Sequence, residues 1–276
     1  MNSNISALIK ACDKTGCEYK IHHSGKRLIE VFIEKRSHLF VNTATPLNSH
    51  SVSNFCIDKD YFYTFLQDVI NMPRTQSFIN PNWKPQYAPP EREKNLQEIL
   101  DAIEAAFPYP AIVKKNSGAT GDSVFKVSDR AEAKAALQTI FDVNNKSYDK
   151  IALAQEYLHL KKEYRVVYLN GSLSFAYEKN IDEAVFQGNL SPLHWAGAKA
   201  ILIEDNTLLA QIHKFCEPMF QKMMIPFCGL DVALDENDNW WLIEANSAPG
   251  FSKIVAHGGE HKVIAMYEQM LAFLSN

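Results

Sequence analysis

Two acidic residues set to face each other on one hairpin constrain this chain more than any other feature. Leu230-Asp231-Val-Ala-Leu-Asp235 and Trp240-Trp-Leu-Ile-Glu244-Ala-Asn246 both read as strands, and Glu236-Asn-Asp-Asn239 between them is made of turn formers. Pairing Asp235 with Trp240 puts Asp231 directly across from Glu244. The two-residue period of a strand then brings Asn246 to the face of Glu244. Opposed carboxylates on one face repel and weaken the pairing. A divalent cation between them turns that repulsion into binding, and one Asp, one Glu and an Asn amide are hard oxygen donors of the kind magnesium takes. A solvated face that tolerates like charges fits the same pattern, so the hairpin alone leaves both readings open. Ser247-Ala-Pro249-Gly250-Phe251, a rigid turn just beyond, fixes the chain past these three residues and favours the ligand reading.

The rest of the chain mixes strands with helices that stand beside them. Ser3 to Cys12 reads as a helix, and Ile29–Ile33 and His38–Val41 read as strands. Asp58 to Ile70 is amphipathic, with Phe62, Phe65, Leu66, Val69 and Ile70 on one side, and Met72-Pro73 ends it. Residues 80–92 form a proline-marked connection. A helix follows with Leu96, Ile99, Leu100, Ile103 and Phe107 on its buried side, and Pro110 opens a strand over Ala111–Lys115. Val124–Val127 returns, and Asp129 with Glu132 predicts a capping box for a helix running to about Phe141. From Ile151 the pattern is strand-rich. Tyr164–Leu169 and Leu173–Tyr177 flank Asn170-Gly171, the commonest two-residue hairpin turn. Leu208, Ile212, Phe215, Met219 and Met223 mark one late helix, and Val263, Ile264, Tyr267, Leu271 and Leu274 mark another. This is an α+β pattern rather than a repeating βαβ series.

Two further segments carry chemistry. Lys114-Lys-Asn-Ser117-Gly118-Ala-Thr-Gly121 joins two strands. Glycines there let backbone amides approach phosphate oxygens, with Lys114 in reach as a point charge. An ordinary flexible hairpin loop reads the same way, and the segment lacks the G-K-[ST] of a P-loop. Ala154-Gln155-Glu156-Tyr157-Leu158 ends a strand in an extended link whose backbone could read an adenine edge. Glu163 and Arg165 share a face of the next strand, as a surface ion pair also would.

Composition bounds the remaining choices. The chain has 276 residues, 46% of them hydrophobic, enough for one large core or two to three lobes. A net charge of -4 argues against nucleic acid as the partner. No apolar run is long enough to cross a bilayer, and the first ten residues lack a signal-peptide pattern. Five cysteines without a C-x-x-C pair suggest a reducing, cytoplasmic setting. No Ser/His/Asp or Cys/His arrangement stands out. His257-Gly-Gly-Glu-His261 spaces two histidines four apart, but its glycines disfavour a helix and favour a loop near the Pro249-Gly250 turn. His22-His23 reads as surface. His194-Trp195 reads equally as packing or as substrate contact.

These segments occur in a fixed order: Asp58-Lys59, Ile112-Val-Lys114 with its glycine loop, Gln155-Glu156-Tyr-Leu158, Glu163-Tyr-Arg165, Phe186-Gln-Gly-Asn189-Leu190, Gly229-Leu-Asp231-Val232 and Ile243-Glu244-Ala-Asn246-Ser-Ala-Pro-Gly250. The order, over roughly residues 45 to 255, resembles the ATP-grasp superfamily. It is closest to ligases of the cyanophycin synthetase, glutathione synthetase and ribosomal-protein glutamate ligase type, and Thr45-Pro-Leu-Asn48-Ser49 is similar to the lead-in of the first. Lys115 departs from the proline usual there, and Ala245 replaces a more usual valine or isoleucine. The resemblance implies an ATP-grasp fold of two α+β lobes holding ATP between them. A short N-terminal segment would span residues 1–50 and the ATP-grasp domain 51–276, with lobe 1 about 75–155 and lobe 2 about 156–276. By position, Lys59 and Lys114, with Ser117, Gly118 and Gly121 of the loop, would hold ATP phosphates. Gln155, Glu156 and the Leu158 backbone would lie at adenine and Glu163 at ribose. Arg165, Lys179 and Asn189 would face the triphosphate, the acyl phosphate or the acid substrate, and Asp231, Glu244 and Asn246 would hold magnesium or manganese. The activity implied is amide or peptide bond formation from a small-molecule carboxylate and an amine through an acyl phosphate, in the cytoplasm, with a homodimer as the oligomer to expect. A ligase acting on a peptide or protein side chain, and a nucleotide-binding regulatory protein without turnover, are the alternatives.

Overall fold

Short polar side chains start most of the helices by taking the first free backbone N–H groups. The computed structural model describes residues 2–84, 86, 89–118, 121, 123–186, 188 and 190–275. Asn2 caps α1 (Ser3–Thr15), which ends at Gly16 in the left-handed region. Asp58 follows the end of one helix and caps the next, accepting from the Tyr61 N–H at 3.0 Å. The expected Asp58–Ile70 helix is α3 (Lys59–Leu66), which ends earlier than the apolar pattern suggested, and α2 (His50–Ile57) precedes it. Asn95 caps α4 (Leu96–Ala106). Asp129 caps α5 (Arg130–Phe141), and the Glu132 carboxylate reaches back one residue further than a standard box, to the Ser128 N–H. Asp205 caps α6 (Asn206–Lys222).

The strands form three antiparallel sheets. The N-terminal sheet has order β1 (Glu18–Ile21), β2 (Leu28–Ile33), β3 (Arg36–Val41). A four-stranded sheet has order β4 (Thr75–Ile79), β7 (Ile151–Glu156), β5 (Ala111–Lys115), β6 (Val124–Val127). A five-stranded sheet has order β10 (Lys199–Leu202), β9 (Ser172–Asn180), β8 (Leu160–Leu169), β11 (Phe227–Asp235), β12 (Trp240–Asn246). Positive φ at Asn170 and Gly171 closes β8 on β9 as the Asn-Gly pair predicts. The chain ends in α7 (Ser252–Ile254), a wide turn over Val255–Gly259 and α8 (Glu260–Leu274). Gly258, with φ 93°, breaks the helical path there, so His257 and His261 point to separate partners. His257 Nδ1 accepts the Ala200 N–H of β10, and the ring of His261 lies on the Gly258 carbonyl.

Three cores follow from this layering. Helices α4 and α5 cover one face of the four-stranded sheet through Ile99, Ile103, Leu137 and Ile140. Along β8, alternation sends Tyr164, Val166 and Tyr168 towards α3 and α6, and Val167 and Leu169 towards α1, α8 and the N-terminal sheet. The five-stranded sheet is thus buried on both faces over most of its area. One end of the second face stays open towards the four-stranded sheet. Among the described residues no helix is long and apolar enough to cross a membrane.

Candidate functional site

The open end of that face and the uncovered face of the four-stranded sheet enclose a cavity of about 770 Å³. On the four-stranded side, Lys114 of β5 pairs with Leu153 of β7 and shares a sheet face with Gln155, two residues further along β7, and its Nζ donates to Gln155 Oε1 at 3.0 Å. Gln155 in turn donates to Thr75 Oγ1 at 2.8 Å, which holds the amide in place. Lys114 is fully buried and its ammonium is pushed down to about 8, first by burial and then by the nearby charge of Lys59. Lys59 opens α3 and donates to the Gly118 carbonyl at 2.7 Å, so the helix start grips the glycine loop. Its ammonium is lowered by burial and partly restored by Glu244. At Gly118 φ is 114°, a backbone conformation that residues with a side chain rarely adopt.

On the five-stranded side the carboxylate pair is formed as expected, by a different route. Asp231 pairs with Glu244, but the turn pairs Leu234 with Trp240, and a bulge between Asp231 and Val232 restores the register. Asp235 is not across from Trp240. It accepts the N–H groups of Asn237 and Asn239 and the Trp241 indole, which hold its carboxyl down at about 2 despite desolvation. Asn246 shares the face of Glu244 and donates to it at 3.3 Å.

Cations complete the cluster. Arg165 of β8 lies across from Asp231 and donates Nε to Oδ1 at 2.5 Å and Nη2 to Oδ2 at 3.0 Å. Lys179 of β9 reaches Asp231 Oδ2 at 2.9 Å and also bonds Glu163 Oε1. Burial alone would raise the carboxyl of Asp231, but Arg165 and Lys179 outweigh it and hold it low. Gly229 makes this possible: a Cβ there would sit 2.9 Å from both Arg165 Cδ and Pro249 Cβ. The residues present suit a divalent cation in donor chemistry. Among the described residues no three His, Cys, Asp or Glu side chains converge, so the set is two carboxylates and an amide, one carboxylate already neutralised by cations.

Other expected site residues lie around the same cavity with varied partners. Gly121 and Leu158 line it. Ser117 lines it too, but its N–H and hydroxyl both go to Asp149 Oδ2, at 2.7 and 2.6 Å. The Glu156 side chain is turned onto Arg74, accepting its N–H at 2.7 Å and its Nε at 3.1 Å. Glu163 is buried against Lys179. Asn189 lies outside the described residues. Several contributors were not among the expected site residues. Tyr177 lies across from Arg165 on β9 and lines the cavity. Asn48 bonds Phe227 and the Ser247 carbonyl, bracing the start of β11 and the end of β12. Asn4, buried in α1, donates to the Pro249 carbonyl at 2.9 Å and accepts the Phe251 N–H at 3.0 Å.

A sheet lysine and a helix-start lysine beside a glycine loop, facing a carboxylate–cation cluster on a second antiparallel sheet across a shared cleft, define an ATP-grasp architecture. Residues 84–270 match the sequence model of the RimK-like ATP-grasp domain, and the chain belongs to that family. Solved structures agree in fold. D-alanine–D-alanine ligase from Bacillus anthracis, complexed with ATP, superposes with a TM-score of 0.55 at 16% identity, covering 83% of this chain and 69% of that one. The ATP-grasp ligase PsnB, complexed with a minimal precursor, gives 0.53 at 16% identity over 82% of this chain and 63% of that one. In sequence, the chain is 24% identical over 156 residues to the uncharacterized protein MG012 homolog of Mycoplasma pneumoniae, which covers 56% of this chain. That match spans about half the length of the curated relative, 49%.

Proposed function

We propose that the chain is an ATP-dependent ligase that joins a small-molecule carboxylate to an amine and releases ADP and phosphate. One observation carries the reading: Lys59 and Lys114 face Arg165, Lys179, Asp231 and Glu244 across one cleft, in a chain of the ATP-grasp family. A carboxylate expels oxide poorly. Moving the terminal phosphoryl group of ATP onto it gives an acyl phosphate, and an amine then attacks the carbonyl carbon, expels phosphate and loses a proton. The protein's task is to align the reactants and neutralise charge. Lys59 and Lys114 serve as phosphate cations beside the glycine loop, and the strand end at Glu156–Leu158 reads the base. Arg165 and Lys179 hold charge at the reacting end. Asp231, Glu244 and Asn246 would hold magnesium, which supplies charge neutralisation at the phosphates when bound. The working unit is residues 51–276, with the cleft between lobes of about 75–155 and 156–276. Five free cysteines fit a cytoplasmic setting.

Purified protein with ATP, magnesium and a panel of acids and amines is expected to release ADP and phosphate only when both an acid and an amine are present. AMP and pyrophosphate as products would refute the reading. An acceptor carried in a peptide is the second reading, favoured by the segment beside the cleft. There Val185 and Phe186 are 66% and 56% exposed, and Phe186 packs edge-on against Trp195 of the cavity wall. Turnover with extended peptides but not with free amino acids separates the two.

A further inference from the structure

Glu163 is placed for a task other than the ribose contact its motif position suggests. We propose that Glu163 is a positioning residue that holds Lys179 at the reacting end of the cleft when Asp231 is taken up by other partners. The inference rests on the ligase reading and deepens it.

Four charges meet here, two cations and two anions, with Lys179 and Asp231 buried and Arg165 and Glu163 partly buried. Lys179 is 4% exposed and touches both carboxylates, Glu163 and Asp231. Arg165 has both of its hydrogen bonds on Asp231. Asp231 therefore carries three donors on two oxygens, and it also belongs to the proposed metal set. A divalent cation on the same carboxylate would sit close to both positive charges, and that repulsion favours displacing one of them. The consequence differs for the two cations. Arg165 has no second carboxylate in hydrogen-bond contact among the described residues, so it is released to an incoming phosphate. Lys179 keeps Glu163. A lysine ammonium is a point charge on a four-carbon stem, and one left without its anchor would follow whichever anion is nearest. Glu163 and Arg165 stand two residues apart on β8, with Lys179 on the neighbouring strand, so the anchor is part of a rigid sheet. Fixed charge is worth most where a phosphoryl group is moving.

The test uses nucleotide binding by the full chain in magnesium, without acid or amine. The probes are a non-hydrolysable β,γ-imido triphosphate, ADP, and the 2′,3′-dideoxy form of each, in wild type, Glu163→Gln, Lys179→Met and the double variant. Gln keeps the shape of Glu163 and removes its charge, and the double variant leaves no buried cation without its anchor. Glu163→Gln is expected to lower the preference for triphosphate over diphosphate about tenfold and to leave the preference for ribose over dideoxyribose within about twofold. In the Lys179→Met background the same change is expected to move the triphosphate preference by less than about twofold, because the two residues act as one unit. A collapse of the ribose preference with the triphosphate preference intact overturns the proposal in favour of a ribose contact. Additive losses in the double variant overturn it as well. A wild-type chain that binds no adenine nucleotide overturns the ligase reading itself, a result distinct from either.

Discussion

Among the described residues Lys114 has no carboxylate in hydrogen-bond contact and donates to the Gln155 amide, and burial with the Lys59 charge brings its ammonium down to about 8 from 10.5. The unfolded chain keeps that proton up to the higher value. Between the two values the unfolded state binds more protons, so on this group's account folding stability rises with pH. Phosphate binding has the opposite sign, because phosphate favours the charged lysine. Nucleotide affinity is expected to fall as pH rises above about 8, and Lys114→Met is expected to lose that dependence while melting no lower than wild type. Calorimetric titration from neutral to mildly alkaline pH checks both. Glu244 gives a sharper case. The sequence suggested two repelling carboxylates, whereas Arg165 and Lys179 already neutralise Asp231. Glu244→Gln therefore relieves little strain and should leave the melting temperature nearly unchanged. It removes a proposed metal ligand, and ATP turnover is expected to drop by at least about 100-fold. Turnover at the wild-type rate would refute the metal assignment.

At the scale of elements, the hairpin β11–β12 shows how a correct contact can rest on an incorrect turn. Counting back from Asp235–Trp240 gave the right partner for Asp231, but the chain spends one residue in a bulge at Asp231/Val232 to get there. Asp235 is the reason: its carboxylate is consumed inside the turn and so stands out of the ladder. Asp235→Asn is expected to lower the melting temperature at neutral pH. Because the folded carboxyl is held at about 2 against an ordinary 3.8, the difference from wild type should shrink as pH falls from 3.8 through about 2, and a pH series of thermal melts reads it. The elements legible in the sequence were those with their own punctuation. Pro110 opens β5, Asp129 caps α5 and Asn170-Gly171 closes β8 on β9. The elements that escaped carry too little apolar pattern. Strand β1 is four residues with no alternating apolar face, β4 is held by its pairing with β7, and α2 carries one buried side chain, Cys56. Their stability comes from neighbours distant in sequence, which local patterns do not record.

For the whole molecule, the same limit applies to the site. Types and spacing in the chain marked Lys114, Asp231 and Glu244, but only the sheet order brings Lys179 beside Glu163 and Tyr177 beside Arg165. The N-terminal segment makes the point most directly. It read as a separate short piece, yet α1 packs on α8 and its Asn4 side chain bonds both sides of the Pro249-Gly250 turn. That turn follows the proposed metal residues by three positions and lines the cavity. Asn4 is 1% exposed, so removing its amide leaves the Pro249 carbonyl and the Phe251 N–H buried without partners. Asn4→Leu is expected to cost about 2–3 kcal/mol of folding stability, measured by denaturant unfolding. The functional effect should be selective. Lys114 and the glycine loop belong to the other sheet, and Lys59 grips that loop from the start of α3, so the KM for ATP is expected to change little. The KM for the acid or amine should rise several-fold, because the turn that loosens lies beside Arg165, at the proposed reacting end of the cleft. Equal changes in both would mean that α1 supports the cleft as a whole rather than this end of it.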